Sequence, residues 1–258
     1  MVRGLYTAYT GMKNEQYRLD VITNNLANSA TTGYKKEGAT SQAFSEVLGV
    51  KINDSSEAYL QRNIGKMSLG VKIGETYTDY SQGGAKITGN TYDVMLGGNG
   101  FFAIQMTDKN GNQHVRYTRD GSFTVTKDGY LVTKDGDSVL NDQGQPIQIT
   151  NPSGTVSIDL AGNIAVDGTT IDKIGVFDFE DYDYLSKYGE NMYDAVDGAT
   201  FKTSDASVMQ GYLETSNVNV VSEMVNMITI TRAYEANQKM ITTIDSTLDK
   251  AVNSVGRV

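Results

Sequence analysis

Residues 218–255 read VNVVSEMVNMITITRAYEANQKMITTIDSTLDKAVNSV, and the reading of this stretch decides the fold. Val220, Met227, Tyr234, Ile241, Leu248 and Val255 recur every seven residues. Ile230, Ile244 and Ala251 fill a second seam three positions later, with Asn237 as its polar member. Alternating steps of three and four place both seams on one helical stripe, the pattern of helices that pack along their length. Neither proline nor glycine interrupts it before Gly256. At about 1.5 Å per residue such a helix is roughly 55 Å long. That is too long for one wall of a compact core, so something else has to cover the stripe.

The other end of the chain offers a candidate. Leu5, Met12, Leu19 and Leu26 also recur every seven residues, with Ala8 and Ile22 on the adjoining seam and Lys13, Asn14, Arg18 and Asp20 on the far face. This predicts an amphipathic helix of about 24 residues. It is shorter than the C-terminal helix and would leave part of the longer stripe bare. Burying an aliphatic side chain contributes about 1.5–3 kcal/mol, so five or six uncovered seam residues would leave about 10 kcal/mol unused in a monomer. The balance favours helices that finish their burial against neighbouring copies. A closed intramolecular hairpin is the competing arrangement.

Composition narrows the function classes. The 258 residues carry a net charge of −9, one histidine and no cysteine. Charges are scattered, and no basic patch interleaved with aromatics points to nucleic acid. One histidine without cysteine excludes most zinc, iron–sulfur and thiol chemistry. No apolar run reaches the ~18–20 residues of a membrane span, so no membrane insertion is expected. The opening MVRGLYTAYTGMKNEQ lacks a secretory hydrophobic region, which makes export without a cleaved signal peptide the expected route for a protein that leaves the cytosol.

Between the helices the character changes. Asn28, Ser29, Thr31, Thr32 and Gly33 punctuate the first helix, with Gly33 suited to the left-handed position that stops a helix. The asparagines of Thr23-Asn24-Asn25-Leu26-Ala27-Asn28 are poor helix formers and read as hydrogen-bonding groups. Residues 35–84, poor in aliphatic clusters, read as an extended linker or arm. Residues 85–214 switch to period two, with short strands such as 94–96, 101–105, 115–118, 122–125, 130–132, 156–158, 163–166 and 174–177. Asn110-Gly111, Asp120-Gly121, Asp128-Gly129 and Asp135-Gly136 are hairpin-turn signals. An antiparallel β domain follows, with Phe101, Phe102, Tyr117, Phe123, Tyr130, Phe177 and Phe179 as its core. The polar, tyrosine-rich run 178–201 reads as a surface crossing. The predicted class is α+β: long terminal helices 1–34 and 215–258 forming a coiled-coil-like domain, and an antiparallel all-β middle.

Motifs for chemistry are missing. Asp108-Lys109-Asn110-Gly111-Asn112 opens like a calcium loop, but Gln113 and Arg119 occupy the positions that need glycine and glutamate. Gly97-Gly98-Asn99-Gly100 precedes a strand where a dinucleotide fingerprint must open a helix. His114 has no partner of metal-ligand type, and no carboxylate pair announces acid–base work. No cofactor, metal or catalytic residue is expected.

An ordered set of motifs carries a family resemblance. Thr23-Asn24-Asn25-Leu26-Ala27-Asn28 with Thr32-Gly33-Tyr34-Lys35 resembles the N-terminal signature of bacterial flagellar rod and hook proteins. Gln210-Gly211-Tyr212-Leu213-Glu214-Thr215-Ser216-Asn217-Val218-Asn219-Val220, Glu223 to Ile228 and Arg232-Ala233-Tyr234-Glu235-Ala236-Asn237 resemble its C-terminal part. Gly98-Asn99-Gly100-Phe101-Phe102, Tyr117 to Phe123 and Tyr188-Gly189-Glu190-Asn191 are similar to its middle. Nearly the whole chain is covered, and the likeness is nearest to the distal rod proteins. Thr23 stands where the family usually has alanine, Asn99 where glutamine is common, and Glu46 to Gly83 matches no member closely.

The resemblance implies a non-enzymatic building block of the flagellar basal body, outside the cytoplasmic membrane. It implies export by the flagellar type III apparatus and polymerisation into a helical tube that contacts neighbouring rod and hook proteins. Its implied assembly interface comprises Leu5, Met12, Leu19, Ile22, Asn24, Asn25, Leu26 and Asn28 near the N-terminus. Towards the C-terminus it comprises Ser216, Asn217, Val220, Met227, Ile230, Arg232, Tyr234, Asn237, Ile241, Ile244 and Leu248. A hook or proximal rod subunit is the alternative within the family. From other classes, an extracellular binding module on a coiled-coil stalk and a hydrolase remain open; neither explains both terminal motifs.

Overall fold

The computed structural model describes residues 2–44, 47–50, 63–68, 70–107, 111–151 and 154–255, with side chains left undescribed at 2–3, 47–50, 63–67 and 254–255. The fold is α+β, with a long helix near each end and a mostly antiparallel β middle. The chain divides into two compact units: residues 1–26, 37–79 and 219–258 form one, and residues 27–36 and 80–218 the other.

The first unit holds helix α1 (Val2–Ala27) and helix α2 (Val220–Lys250), the latter extended by a π-helical turn, Ala251–Val255. Asn219 caps α2 by accepting a hydrogen bond from the Ser222 amide at 3.1 Å, and Glu223 in the first turn favours the helix dipole. Strands β1 (Glu37–Ala43) and β4 (Val71–Thr78) pair antiparallel, with a register shift between Ala39 and Ser41. β2 (Val47–Val50) and β3 (Asn63–Met67), nested between them in sequence, pair in the same sense. The stretch read as an extended arm contains, among its described residues, these four paired strands. β1 and β4 bury no residue fully on either face, so they carry none of the period-two apolar signal that marks a half-buried sheet. Ile52, one of the apolar residues of this stretch, lies outside the described residues.

The second unit is the β domain. Its strands are β5 (Ala85–Ile87), β6 (Val94–Gly97), β7 (Phe101–Thr107), β8 (Gln113–Thr118), β9 (Thr124–Val125), β10 (Leu131–Val132) and β11 (Ser138–Val139). They continue with β12 (Val156–Ile158), β13 (Asn163–Val166), β14 (Thr169–Lys173), β15 (Val176–Phe179), β16 (Leu185–Tyr188), β17 (Met192–Ala195), β18 (Phe201–Thr203), β19 (Ser207–Gln210) and β20 (Tyr212–Glu214). The main sheet runs β16-β17-β8-β7-β11-β10-β9, with β15 joining β7 to β18; β12-β13-β14, β19-β6 and β20-β5 form smaller sheets. All pairings are antiparallel.

Two apolar clusters fill this unit. One gathers Val94, Leu96, Phe102, Phe123, Leu131 and Ile147 with their neighbours; the other gathers Phe101, Tyr117, Leu140, Phe179, Leu185 and Tyr193. Two expectations need correction. Tyr130 is 38% exposed, because its strand begins one residue later and turns Leu131 inward instead. The run 178–201 is not a plain surface crossing: β16 and β17 form a hairpin that joins the main sheet through β8. Leu185 and Tyr193 are its buried anchors. The calcium-like opening Asp108-Lys109-Asn110 lies outside the described residues.

Candidate assembly interface

Within the first unit the two helices run antiparallel and touch. A Cβ placed on Gly4 would meet Ile244 Cδ1 at 3.6 Å, and one on Gly11 would meet Asn237 Nδ2 at 3.1 Å. Glu15 and Arg18 line a groove with Asn226, Thr229, Ile230 and Ala233. Each step of seven up α1, from Gly4 to Gly11 to Arg18, is thus matched by a step of seven down α2, from Ile244 to Asn237 to Ile230. Glycine in a helix interior costs about 0.5–1 kcal/mol relative to alanine. At Gly11 it leaves room for the Asn237 amide.

This corrects the balance struck from sequence between hairpin and open helices. The 26 residues of α1 lie beside most of the 31 residues of α2, so the difference in length leaves only the last turns of α2 beyond its partner. The stripe read as a heptad is the covered one. Ile230 is buried, and Met227, Tyr234, Asn237, Ile241, Ile244 and Leu248 are half-buried. Val220 and Arg232 are exposed. On α1, Ile22 and Asn25 are buried; Leu5, Met12, Leu19 and Leu26 are half-buried and Asn24 is exposed. The positions of α1 that meet α2 include Gly4, Gly11 and Arg18, one residue before Leu5, Met12 and Leu19, which a search for large apolar residues passes over.

Asn25 ties α1 to the arm. Its Nδ2 donates to the Glu37 carbonyl at 2.8 Å and its Oδ1 accepts from the Glu37 amide at 2.9 Å, with no exposed surface. One side chain thereby satisfies both backbone groups of the first residue of β1. Asn14, also buried, bonds the Ser41 hydroxyl at 2.9 Å.

In the second unit the motifs of the two chain ends meet the middle motif at one buried charge cluster. Lys35 Nζ lies 2.6 Å from Glu214 Oε1, and Arg119 donates to Glu214 Oε2 at 3.4 Å. Lys35 also donates to the Ser81 carbonyl at 2.8 Å, and Glu214 Oε1 accepts from the Gly83 amide at 2.8 Å. The three charged side chains are 1–2% exposed. Asn217 Oδ1 accepts from the Lys36 amide at 2.7 Å while its Nδ2 donates to Ser81. Ser216 Oγ accepts from the Val218 amide, and buried Asn28 accepts from the Thr31 hydroxyl.

Gly33 does not stop α1, which ends at Ala27. With φ at +69°, its amide reaches the Glu214 carbonyl at 2.9 Å, and a Cβ there would fall 2.5 Å from the Asp120 amide nitrogen. Charges this far apart in the chain leave no local pattern, so the cluster is invisible to periodicity. Its one sequence signal is that all three charged residues fall inside the motifs that carry the family resemblance.

Among the described residues no helix is long and apolar enough to cross a membrane, and no group of three or more His, Cys, Asp or Glu could hold a metal ion.

Comparison with known proteins places these features in order. Residues 5–35 match the family described as flagella basal body rod protein, residues 95–166 the flagellar hook protein FlgE/F/G D1 domain, and residues 209–254 the flagellar basal body rod FlgEFG protein C-terminal. The chain is 35% identical over 269 residues to flagellar basal-body rod protein FlgG of Bacillus subtilis, covering 98% of this chain and 99% of that one. It is 34% identical over 263 residues to the FlgG of Buchnera aphidicola subsp. Schizaphis graminum, covering 97% and 98%. It is 32% identical over 259 residues to flagellar basal-body rod protein FlgF of Caulobacter vibrioides, covering 100% of each.

Proposed function

The chain belongs to the flagellar basal-body rod proteins of FlgG/FlgF type, a structural and non-enzymatic family of the bacterial flagellum, and we propose that it polymerises into the distal part of the rod. In this reading the terminal segments 1–34 and 215–258 form the assembly domain, packed in coiled-coil fashion in a helical homopolymer. The tube transmits torque from motor to hook and encloses the export channel. Its subunits leave the cytoplasm through the flagellar type III apparatus without a cleaved signal peptide, and the tube joins neighbouring rod and hook proteins at its ends.

The observation that carries the reading is surface left over after the hairpin closes. Val221, Met224, Val225 and Ile228 on α2, and Tyr6 and Tyr9 on α1, are 48–72% exposed. Exposed apolar residues clustered on one helix face mark an interaction site. The polar seam member Asn237 would then fix register at some cost in stability, whereas the buried Asn25 and Asn28 are bonded within their own chain.

Sedimentation and negative-stain microscopy of the full chain, beside a chain ending at residue 218, test the proposal. Isolated basal bodies serve as seeds. Rods or filaments from the full chain alone are the expected result. A full chain that stays dispersed with seeds present would overturn it.

A further inference from the structure

The polymer reading, on which this inference rests, leaves open which faces meet. On α2 the covered stripe runs through Met227, Ile230, Tyr234, Asn237, Ile241 and Ile244. Val221, Met224, Val225 and Ile228 follow at steps of three, four and seven from the first, so they make one continuous ridge. At about 100° per residue that ridge lies on the opposite side of the helix from Ile230. The four side chains are 72%, 48%, 58% and 53% exposed. The ridge is short: further along the same side stand Arg232, Glu235 and Lys239, all exposed. The hairpin therefore makes no use of these four residues.

The same unit carries a hollow of complementary character. Tyr6 and Tyr9 of α1, Phe44 after β1, and Val71 and Ile73 of β4 line a cavity of about 240 Å³, with Lys13 and Lys72 also among its lining. The Tyr6 and Phe44 rings stand 6.5 Å apart, tilted by 42°. The ridge faces away from α1, so it cannot enter the hollow of its own chain.

We propose that the α2 ridge of one copy seats in the α1–arm hollow of the next. The thioether of Met224 suits an aromatic wall, since sulfur packs favourably against ring edges. The symmetry of the contact favours this occupant over a ridge-to-ridge pairing. A patch that meets its own equivalent closes as a two-fold dimer and stops there. A patch that meets a different patch leaves a free ridge and a free hollow at the two ends, and propagates as an open helical polymer. A rod subunit needs the second kind.

The chain has no cysteine, so single introduced thiols report the contact cleanly. Full chains bearing Ile228→Cys or Tyr9→Cys are assembled each alone and as an equal mixture of monomers, oxidised mildly, and resolved without reductant. The sedimenting fraction is measured in each sample. The mixture is expected to give about tenfold more disulfide-linked dimer than either variant alone, the ratio that about 1.4 kcal/mol of preference produces. Dimer formed equally by Ile228→Cys alone would overturn the assignment in favour of ridge-to-ridge contact. Sedimenting particles without cross-link in the mixture would overturn the assignment and leave polymerisation standing. Wild-type and variant chains that neither sediment nor cross-link would overturn both.

Discussion

Lys35 and Glu214 lie 179 positions apart in the chain, yet the ammonium and carboxylate meet at 2.6 Å with each side chain only 1% exposed. Arg119 approaches the second carboxylate oxygen. One anion thus holds two cations that reach it from different parts of the sequence. Taking such a cluster out of water is costly, and its attraction offsets that cost only while the set is complete.

Removing the anion should therefore be severe. Glu214→Ala removes the carboxylate that Lys35 and Arg119 share and frees the Gly83 amide. Breaking a buried pair in this way costs about 3–5 kcal/mol. Urea denaturation followed by the tyrosine signal, concentrated in the β unit, should show the midpoint fall accordingly. A midpoint within error of wild type would mean that water or the backbone already satisfies both cations.

Gly33 should resist substitution for two reasons that can be separated. Gly33→Ala forces a Cβ into a left-handed backbone and against the Asp120 amide, 2.5 Å away. Gly136 also has positive φ, at 95°, but a Cβ there meets nothing within 4 Å. Gly136→Ala should cost about 1–2 kcal/mol, the left-handed penalty alone. Gly33→Ala should exceed that by the displacement of a backbone segment. Equal losses in paired thermal melts would show that the Asp120 segment yields freely.

What sequence revealed and what it hid follow from the range of the interactions. The α2 stripe was legible because helix packing repeats every three or four residues, so Met227, Ile230, Tyr234 and Asn237 announce it locally. The β domain was legible through Phe101, Phe102 and the glycine turns for the same reason, at period two. The β16–β17 hairpin hid because each of its strands buries one residue, Leu185 or Tyr193, amid polar neighbours. On α1 the buried Ala8 and Ile22 were legible as a seam, whereas Gly4 and Gly11 hid because they contribute by absence of a side chain. The Lys35–Glu214–Arg119 cluster had no local period at all. The ridge Val221 to Ile228 was written in the sequence throughout, but it stood out as surplus only once the structure showed the heptad stripe already covered.

Asn25 should be needed for the root of the arm. Asn25→Ala removes both bonds to Glu37 and leaves a backbone amide and carbonyl without that partner, at about 1–3 kcal/mol. Hydrogen exchange at the Glu37 amide should accelerate while amides of the β domain keep their protection. Asn25→Asp keeps the acceptor and loses the donor, so the amide of Glu37 should stay protected. Unchanged exchange in Asn25→Ala would show that the arm is anchored elsewhere.

The alkaline limb of stability should carry the mark of Tyr182. Its hydroxyl donates to Asp178 Oδ1 at 2.7 Å. Burial first, then the hydrogen bond and charge of Asp178, push its pKa from 10.0 up to about 12, with Arg119 pulling the other way. The folded value lies above the unfolded one, so the contribution is whole below pH 10 and is lost as pH rises through about 12. Tyr117 is also raised, by burial and then by Asp194, so Tyr182→Phe should remove one late-ionising tyrosine and leave another. Near neutrality the variant should lose about 1 kcal/mol for the hydrogen bond, and it should lose less stability than wild type between pH 10 and 12. Tyrosinate absorbance and denaturation midpoints across that range measure both effects. A wild-type chain whose tyrosines all ionise together, with the same alkaline slope in Tyr182→Phe, would refute the assignment.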